Sequence, residues 1–243
     1  MPRRMFLPLL LLLFAVTSLT TAPSVCADSF FTDFEAGLPP QFSGAGAVVG
    51  TEGFSAFGFD SFFLRNDAGG NPAAATTLTL TGLAAHTTVN LSFLLAIIDS
   101  WDGSVQPLNP PTAPDFFNVT VDATSAFSRT FSNFNLAEQS FVGAPLTFGT
   151  QLGFGLDDFH KDSAYALSLM GIPHTASTLT INFFASGSGW QAGFDESWAI
   201  DNVSVITESS VAPIPEPGTL LLLGSGLLGV AGHGRKKLRR KQV

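Results

Sequence analysis

Thr88-Val89-Asn90-Leu91-Ser92-Phe93-Leu94-Leu95-Ala96-Ile97-Ile98-Asp99 is the stretch that decides the fold. Val89, Leu91, Phe93, Leu95 and Ile97 alternate with Thr88, Asn90 and Ser92. Successive side chains of a strand point to opposite faces, so a period of two builds one apolar and one polar face. A helix would need apolar residues three and four apart. The same alternation recurs along the chain. Leu78 and Leu80 alternate with Thr77, Thr79 and Thr81, and Phe117, Val119 and Val121 with Asn118, Thr120 and Asp122. Leu179, Ile181 and Phe183 alternate with Thr180 and Asn182, and Val203 and Val205 with Asn202 and Ser204. Short runs of Gly, Pro and Asn separate them, as expected of strands joined by turns. No long helical period and no repeat of solenoid or propeller length is present. The expected fold is all-β, a jelly-roll-like antiparallel β-sandwich over residues 28–206. Residues 135–150 read as a long loop with a helical turn.

The two ends of the 243-residue chain read differently from this body. Arg3 and Arg4 precede an apolar run from Phe6 to Val16, and Val25-Cys26-Ala27 fits a small-residue cleavage site. Residues 1–27 are therefore expected to be a signal peptide, with Asp28 first in the mature protein. Cys26, the one cysteine, would leave with it, so the mature body forms no disulfide. A lipoprotein would keep Cys26 as its acylated first residue, but Val25 is large for the position before a lipidated cysteine. At the other end, residues 207–213 read as a linker. Pro215-Glu216-Pro217 then precedes an uncharged apolar run, residues 218–232, and a basic cluster, residues 235–241. As a helix, the apolar run would span roughly 22 Å, short of a bilayer core of about 30 Å, so flanking residues or thinning must cover the gap. The basic cluster would stay cytoplasmic and place the body outside.

This tripartite tail resembles the PEP-CTERM sorting signal of Gram-negative bacteria, here over residues 214–241. Pro215, Glu216 and Pro217 are the motif residues. The resemblance implies signal peptidase and an exosortase, a membrane-embedded transpeptidase-like enzyme, as partners during export. It implies transient anchoring in the inner membrane, then release or transfer to the cell surface or extracellular matrix. A plain tail anchor without processing is the alternative.

Net charge is misleading until the ends are removed. Of 11 Lys and Arg residues, Arg3, Arg4 and the basic cluster lie in the terminal segments, leaving Arg65, Arg129 and Lys161. Against these 3 stand 18 acidic residues, all 19 except Glu216, so the body is near −15. Such a surface excludes nucleic acid as a partner. It suits divalent cations, or solubility in a crowded extracellular space.

Two acids fall on an apolar strand face by parity. Asp201 shares the side of Ala199, Val203 and Val205, and Asp99 follows Phe93, Leu95 and Ile97. A charge there is costly unless paired or bound to metal. Ca²⁺ is the natural extracellular partner for carboxylate oxygens. The alternatives are a strand end, a bulge that flips parity, or a capped loop amide. Ile98-Asp99-Ser100-Trp101-Asp102-Gly103 is a second constellation, where Asp99, Asp102 and Asp115 are candidates to converge. The spacing is not that of an EF-hand. Trp190 to Trp198 forms a third. Each tryptophan lies beside acids, so Trp101 and Trp190 are candidate glycan contacts. The other reading makes them packing anchors.

Phe34-Glu35 and Trp198-Ala199-Ile200-Asp201-Asn202-Val203-Ser204-Val205 are similar to the first and last strands of extracellular jelly rolls of the MAM and carbohydrate-binding-module type. That resemblance implies that the two strands lie together and that Glu35 and Asp201 help bind a structural Ca²⁺. Asp99 and Asp102 complete the candidate metal ligands. The disulfides of MAM domains are absent.

The chain has no nucleophile elbow, zinc-protease helix, P-loop or dinucleotide fingerprint. Its body has three histidines, His86, His160 and His174, widely spaced. No enzyme is expected. The sequence therefore predicts an exported surface or matrix protein that associates with exopolysaccharide. A purely structural matrix component and a secreted glycan-active enzyme using two carboxylates are the alternatives.

Overall fold

The computed structural model describes residues 28–103, 114–155, 159–209 and 225–226. The expected signal peptide, and the expected sorting segment apart from residues 225–226, lie outside them. Among the described residues no helix is long and apolar enough to cross a membrane.

Among the described residues, twelve strands form two antiparallel sheets. The larger has the order β3 (Ala47–Gly50), β4 (Phe62–Asn66), β12 (Glu196–Glu208), β6 (Thr88–Asp99), β10 (Asp162–Pro173), β9 (Thr147–Thr150), and β1 (Ser29–Thr32) also pairs with β12. The smaller has the order β2 (Phe42–Gly44), β5 (Thr76–Thr81), β11 (Thr178–Ser186), β7 (Phe116–Val121), β8 (Thr124–Thr130). Strands β4-β12-β6-β10 face β5-β11-β7-β8, and the chain passes repeatedly between the sheets. This is the eight-strand jelly-roll winding. The expected pairing of first and last strands is present, with Phe30 opposite Val205 and Thr32 opposite Val203. Phe34 and Glu35 sit in the turn just after β1, with Phe34 at φ 57° and its ring buried.

The core between the sheets is built from the alternating residues. Leu78, Phe93, Leu95, Ile97, Phe117, Val119, Ile181 and Phe183 are all buried there. Aromatic rings dominate the packing, as expected of a chain with 24 phenylalanines. Phe93 meets Phe183 edge to face at 5.4 Å, and Phe117 meets Trp198 at 5.1 Å, in the range aromatic pairs favour.

Strand β6 is not half-buried throughout. Its second half is covered on both faces, because a short 3₁₀ helix, η1 (Glu52–Phe57), and Leu152 pack on the outside of the larger sheet. Phe54, Phe59 and Phe63 close over Ala96, Ile98, Ala164 and Ala199. The unbroken apolar run Leu94 to Ile98 serves both layers. Residues 135–150 hold the expected helical turn, η2 (Leu136–Glu138), and end in the edge strand β9. Strand β12 runs to Glu208, two residues into the expected linker. Thr207 is buried and its hydroxyl accepts the amide of Asp28 at 2.9 Å, which holds that end to the start of β1.

The parity argument for Asp201 is corrected by a bulge. Asp201 pairs with Leu94 and Ser204 with Ser92, so Asn202 and Val203 together face Phe93. Asn202 takes φ 50°, a left-handed conformation that Asn tolerates better than most residues. Before the bulge Trp198 and Ile200 point into the core; after it Val203 and Val205 do. Asp201 therefore lies with Ala199 on the outer face of the larger sheet.

Candidate functional site

Glu35 and Asp201 grip the same loop, the one that leads into β4. Glu35 Oε1 accepts the Phe62 amide at 2.8 Å, and Asp201 Oδ2 accepts the Asp60 amide at 3.1 Å. Asp201 Oδ1 also accepts the Asn202 amide at 2.7 Å, which holds the bulge. Burial pushes the Asp201 carboxyl up to about 6; the two amides oppose the rise, and the charges of Asp60 and Asp33 add to it. The donor set, hard carboxylate oxygens, fits Ca²⁺ in its chemistry. Its placement is that of amide caps, and among the described residues no three His, Cys, Asp or Glu side chains converge to hold a metal.

Asp99 and Asp102 are separated. Asp99 ends β6 at φ 70°, and its amide donates to Asp162 Oδ1 at 3.1 Å. Asp162 is fully buried, takes the Leu152 amide on its other oxygen at 3.0 Å, and is pushed up to about 7 by burial. Asp102 belongs to a different group. Its amide donates to Asp115 Oδ2 at 3.0 Å, so the expected approach of Asp102 and Asp115 is present. Glu196 joins them from the first residue of β12, opposite Asp99. Burial, then the Asp115 charge, push Glu196 up to about 9; burial pushes Asp115 to about 7. Glu196 Oε2 accepts the Gln191 amide at 2.8 Å and thereby shapes the Trp190 loop.

The two candidate glycan contacts part company. Trp101 is fully buried, with its indole N–H donating to the Ser197 carbonyl at 2.9 Å. Its ring packs edge to face with Phe131 and Trp190, so it anchors the core and, being fully buried, has no face for a sugar. Packing prevailed because the residue sits where the chain leaves β6 and must cover the end of the core. Trp198 is likewise buried. Trp190 is half-buried, packs on Trp101 at 5.3 Å, and donates its N–H to the Ala68 carbonyl at 3.0 Å. A hollow of about 280 Å³, lined by Gly46, Ala47, Val49, Arg65 and Asp67, lies next to Ala68 in the chain. The Asp67 carbonyl accepts the Gly193 amide at 2.9 Å, which fastens the Trp190 loop to that hollow. Arg65 is held by Ser197 Oγ at 2.9 Å and lies 5.2 Å from the Phe154 ring centre.

Residues 213–236 match the family model for the PEP-CTERM protein-sorting motif. The chain carries a PEP-CTERM sorting signal. The PEP-CTERM motif marks it for export with a membrane-anchored C-terminal sorting segment and implies processing by an exosortase. Among curated proteins none matches the chain. Among solved structures, the CBM22-1 xylan-binding domain from Paenibacillus barcinonensis is 10% identical over 76% of this chain and 97% of its own, with a TM-score of 0.40. The CBM27-1 domain of Caldicellulosiruptor saccharolyticus in complex with mannohexaose is 14% identical over 73% and 96%, with a TM-score of 0.42. A cleaved adhesin domain of Lys-gingipain from Porphyromonas gingivalis is 14% identical over 74% and 99%, with a TM-score of 0.41. At those scores the fold assignment rests on this chain's own strand order.

Sequence reasoning missed Asp162, the covering layer around Phe54, and the partnership of His86 with His174. His86 lies two residues before β6, and His174 directly follows β10. Their proximity is legible only once those strands are known to pair, with Thr88 opposite Pro173.

Proposed function

We propose that this is an exported surface or extracellular-matrix protein whose jelly-roll body associates with exopolysaccharide. The sorting motif at residues 213–236 carries the export half of the reading. The glycan half is supported by Trp190, which is half-buried and sits on a loop that the Gly193 amide ties to the Asp67 carbonyl of the Arg65–Asp67 hollow. An aromatic face with a guanidinium and a carboxylate nearby suits a sugar ring and its hydroxyls. The test is co-sedimentation of the protein with the host's own exopolysaccharide, with Trp190→Ala as control. Retention of wild type and loss of the variant is expected; equal behaviour removes Trp190 from the contact.

The reading takes the protein as a non-enzyme. Asp115 and Glu196 have the raised carboxyls of a general acid pair. Both side chains are buried, at 0% and 1% exposure, which supports a structural role for the pair. A structural Ca²⁺ held by Glu35 and Asp201 remains part of the proposal, supported by the acids gathered at the loop into β4.

A further inference from the structure

His86 and His174 meet at one end of the sandwich. His86 Nε2 lies 2.6 Å from His174 Nδ1, both residues are buried, and the ring planes are 15° apart. Faces in van der Waals contact would hold ring atoms about 3.5 Å apart, so the rings meet through their nitrogens. The outer nitrogens are also engaged. His86 Nδ1 is 2.6 Å from the Ala84 carbonyl oxygen. His174 Nε2 is 3.0 Å from Asp122 Oδ2 and 3.2 Å from the Thr178 carbonyl oxygen.

Every outer partner is an acceptor, so each outer nitrogen must carry hydrogen. A neutral imidazole has one N–H, and in both rings the outer nitrogen uses it. Two lone pairs would then face each other across 2.6 Å. One additional proton removes the conflict, giving an N–H···N bond and a single positive charge over the pair. The surrounding charges favour it. Asp122, at the β7–β8 turn, contacts His174 directly and fixes its other oxygen on the Thr180 amide at 2.9 Å. Asp28 accepts the Ala84 amide beside His86, and Glu208 accepts Asn90 Nδ2 at 2.7 Å. The Glu208 carbonyl also holds the Thr87 amide. Arg65 bonds at Ser197 and Arg129 at the Ser128 carbonyl, and Lys161 sits next to Asp162.

We propose that His86 and His174 share one proton and act as a pH-operated latch. Closed, it ties the β7–β8 turn, through Asp122, to the β10–β11 connection and the start of β6. Loss of the proton to solvent sets lone pair against lone pair and loosens the Asp122 side chain, while the Asp122 amide stays on the Thr180 carbonyl at 2.9 Å. A groove of about 640 Å³, lined in part by Asp122, Thr124, Met170, His174 and Thr175, lies beside the latch.

The test is long-range ¹H–¹⁵N spectroscopy of the full chain in detergent, labelled at its four histidines, between about pH 5 and pH 9. His86 and His174 should show protonated outer nitrogens and lose one proton together in a single step. Above that step, protection of the Thr180 amide should drop several-fold. Asp122→Asn keeps both rings and should move the joint step to lower pH, and His86→Gln should abolish it. Independent titration of the two rings, or a neutral pair at every pH, would overturn the shared proton. A joint step with unchanged Thr180 protection would overturn the latch. If His86→Gln does not fold, an unmoved step in Asp122→Asn still decides against the proposal.

Discussion

Trp101 donates its indole N–H to the Ser197 carbonyl at 2.9 Å, tying the chain that leaves β6 to the strand that closes the larger sheet. Trp198, one residue further along β12, buries an indole N–H that finds no acceptor among the described residues. The two residues are equally buried, so they should respond differently to the same change. Trp101→Phe removes a hydrogen bond to a buried carbonyl, at a cost of about 0.5–1.5 kcal/mol beyond the lost volume. Trp198→Phe loses volume but relieves an unsatisfied donor, so it should be the milder substitution. Trp101→Ala should cost about 3–5 kcal/mol. Urea denaturation of the three variants checks the order.

The bulge at Asn202 gives a backbone prediction. At φ 50° a β-branched side chain is strained. Asn202→Val should destabilise by about 1–3 kcal/mol, whereas Asn202→Gly should be close to neutral. The denaturant midpoints of the pair measure this. Equal losses would mean that the cost comes from the side-chain hydrogen bond to the Gly58 carbonyl, at 3.2 Å, and not from the backbone.

The buried carboxyls set a pH dependence. Asp201, Asp115, Asp162 and Glu196 are raised to about 6, 7, 7 and 9, chiefly by burial. Unfolded, they return to ordinary values near 4. The folded state therefore binds more protons, and stability falls as pH rises. The loss begins above about pH 4 and continues through the folded values. A higher denaturant midpoint at pH 5 than at pH 8.5, in the presence of EDTA, is expected. Glu196→Gln should flatten the upper part of the slope. A midpoint that rises with pH would refute the assignment.

The calcium proposal separates cleanly from that dependence. With Ca²⁺ present, the melting temperature at fixed pH should rise, EDTA should reverse the rise, and Asp201→Ala should abolish the response. A Ca²⁺ response that survives in Asp201→Ala would move the ion away from the loop into β4. Identical melting curves with and without the ion would remove it.

The fold was largely legible because antiparallel strands write their two faces into the sequence. Thr88 to Ile97 and Leu179 to Phe183 each give a strand with the correct core side. What stayed hidden depends on contacts between distant segments. Nothing local to Asp201 announces the bulge at Asn202 that turns it outward. The burial of Trp101 depends on Phe131 and Trp190, 30 and 89 positions away. The His86–His174 contact spans 88 positions and follows from the pairing of β6 with β10. The sorting motif was readable in full, because a linear signal needs no partner segment to be recognised.

The reading stands most directly on what happens to the two ends of the chain. Intact-mass spectrometry of the protein recovered from the host's surface and matrix fractions examines both at once. A species beginning at Asp28 and lacking residues 235–241 is expected. A matrix-associated protein that keeps the whole basic tail would show that the motif is not processed and that the protein reaches the matrix by another route.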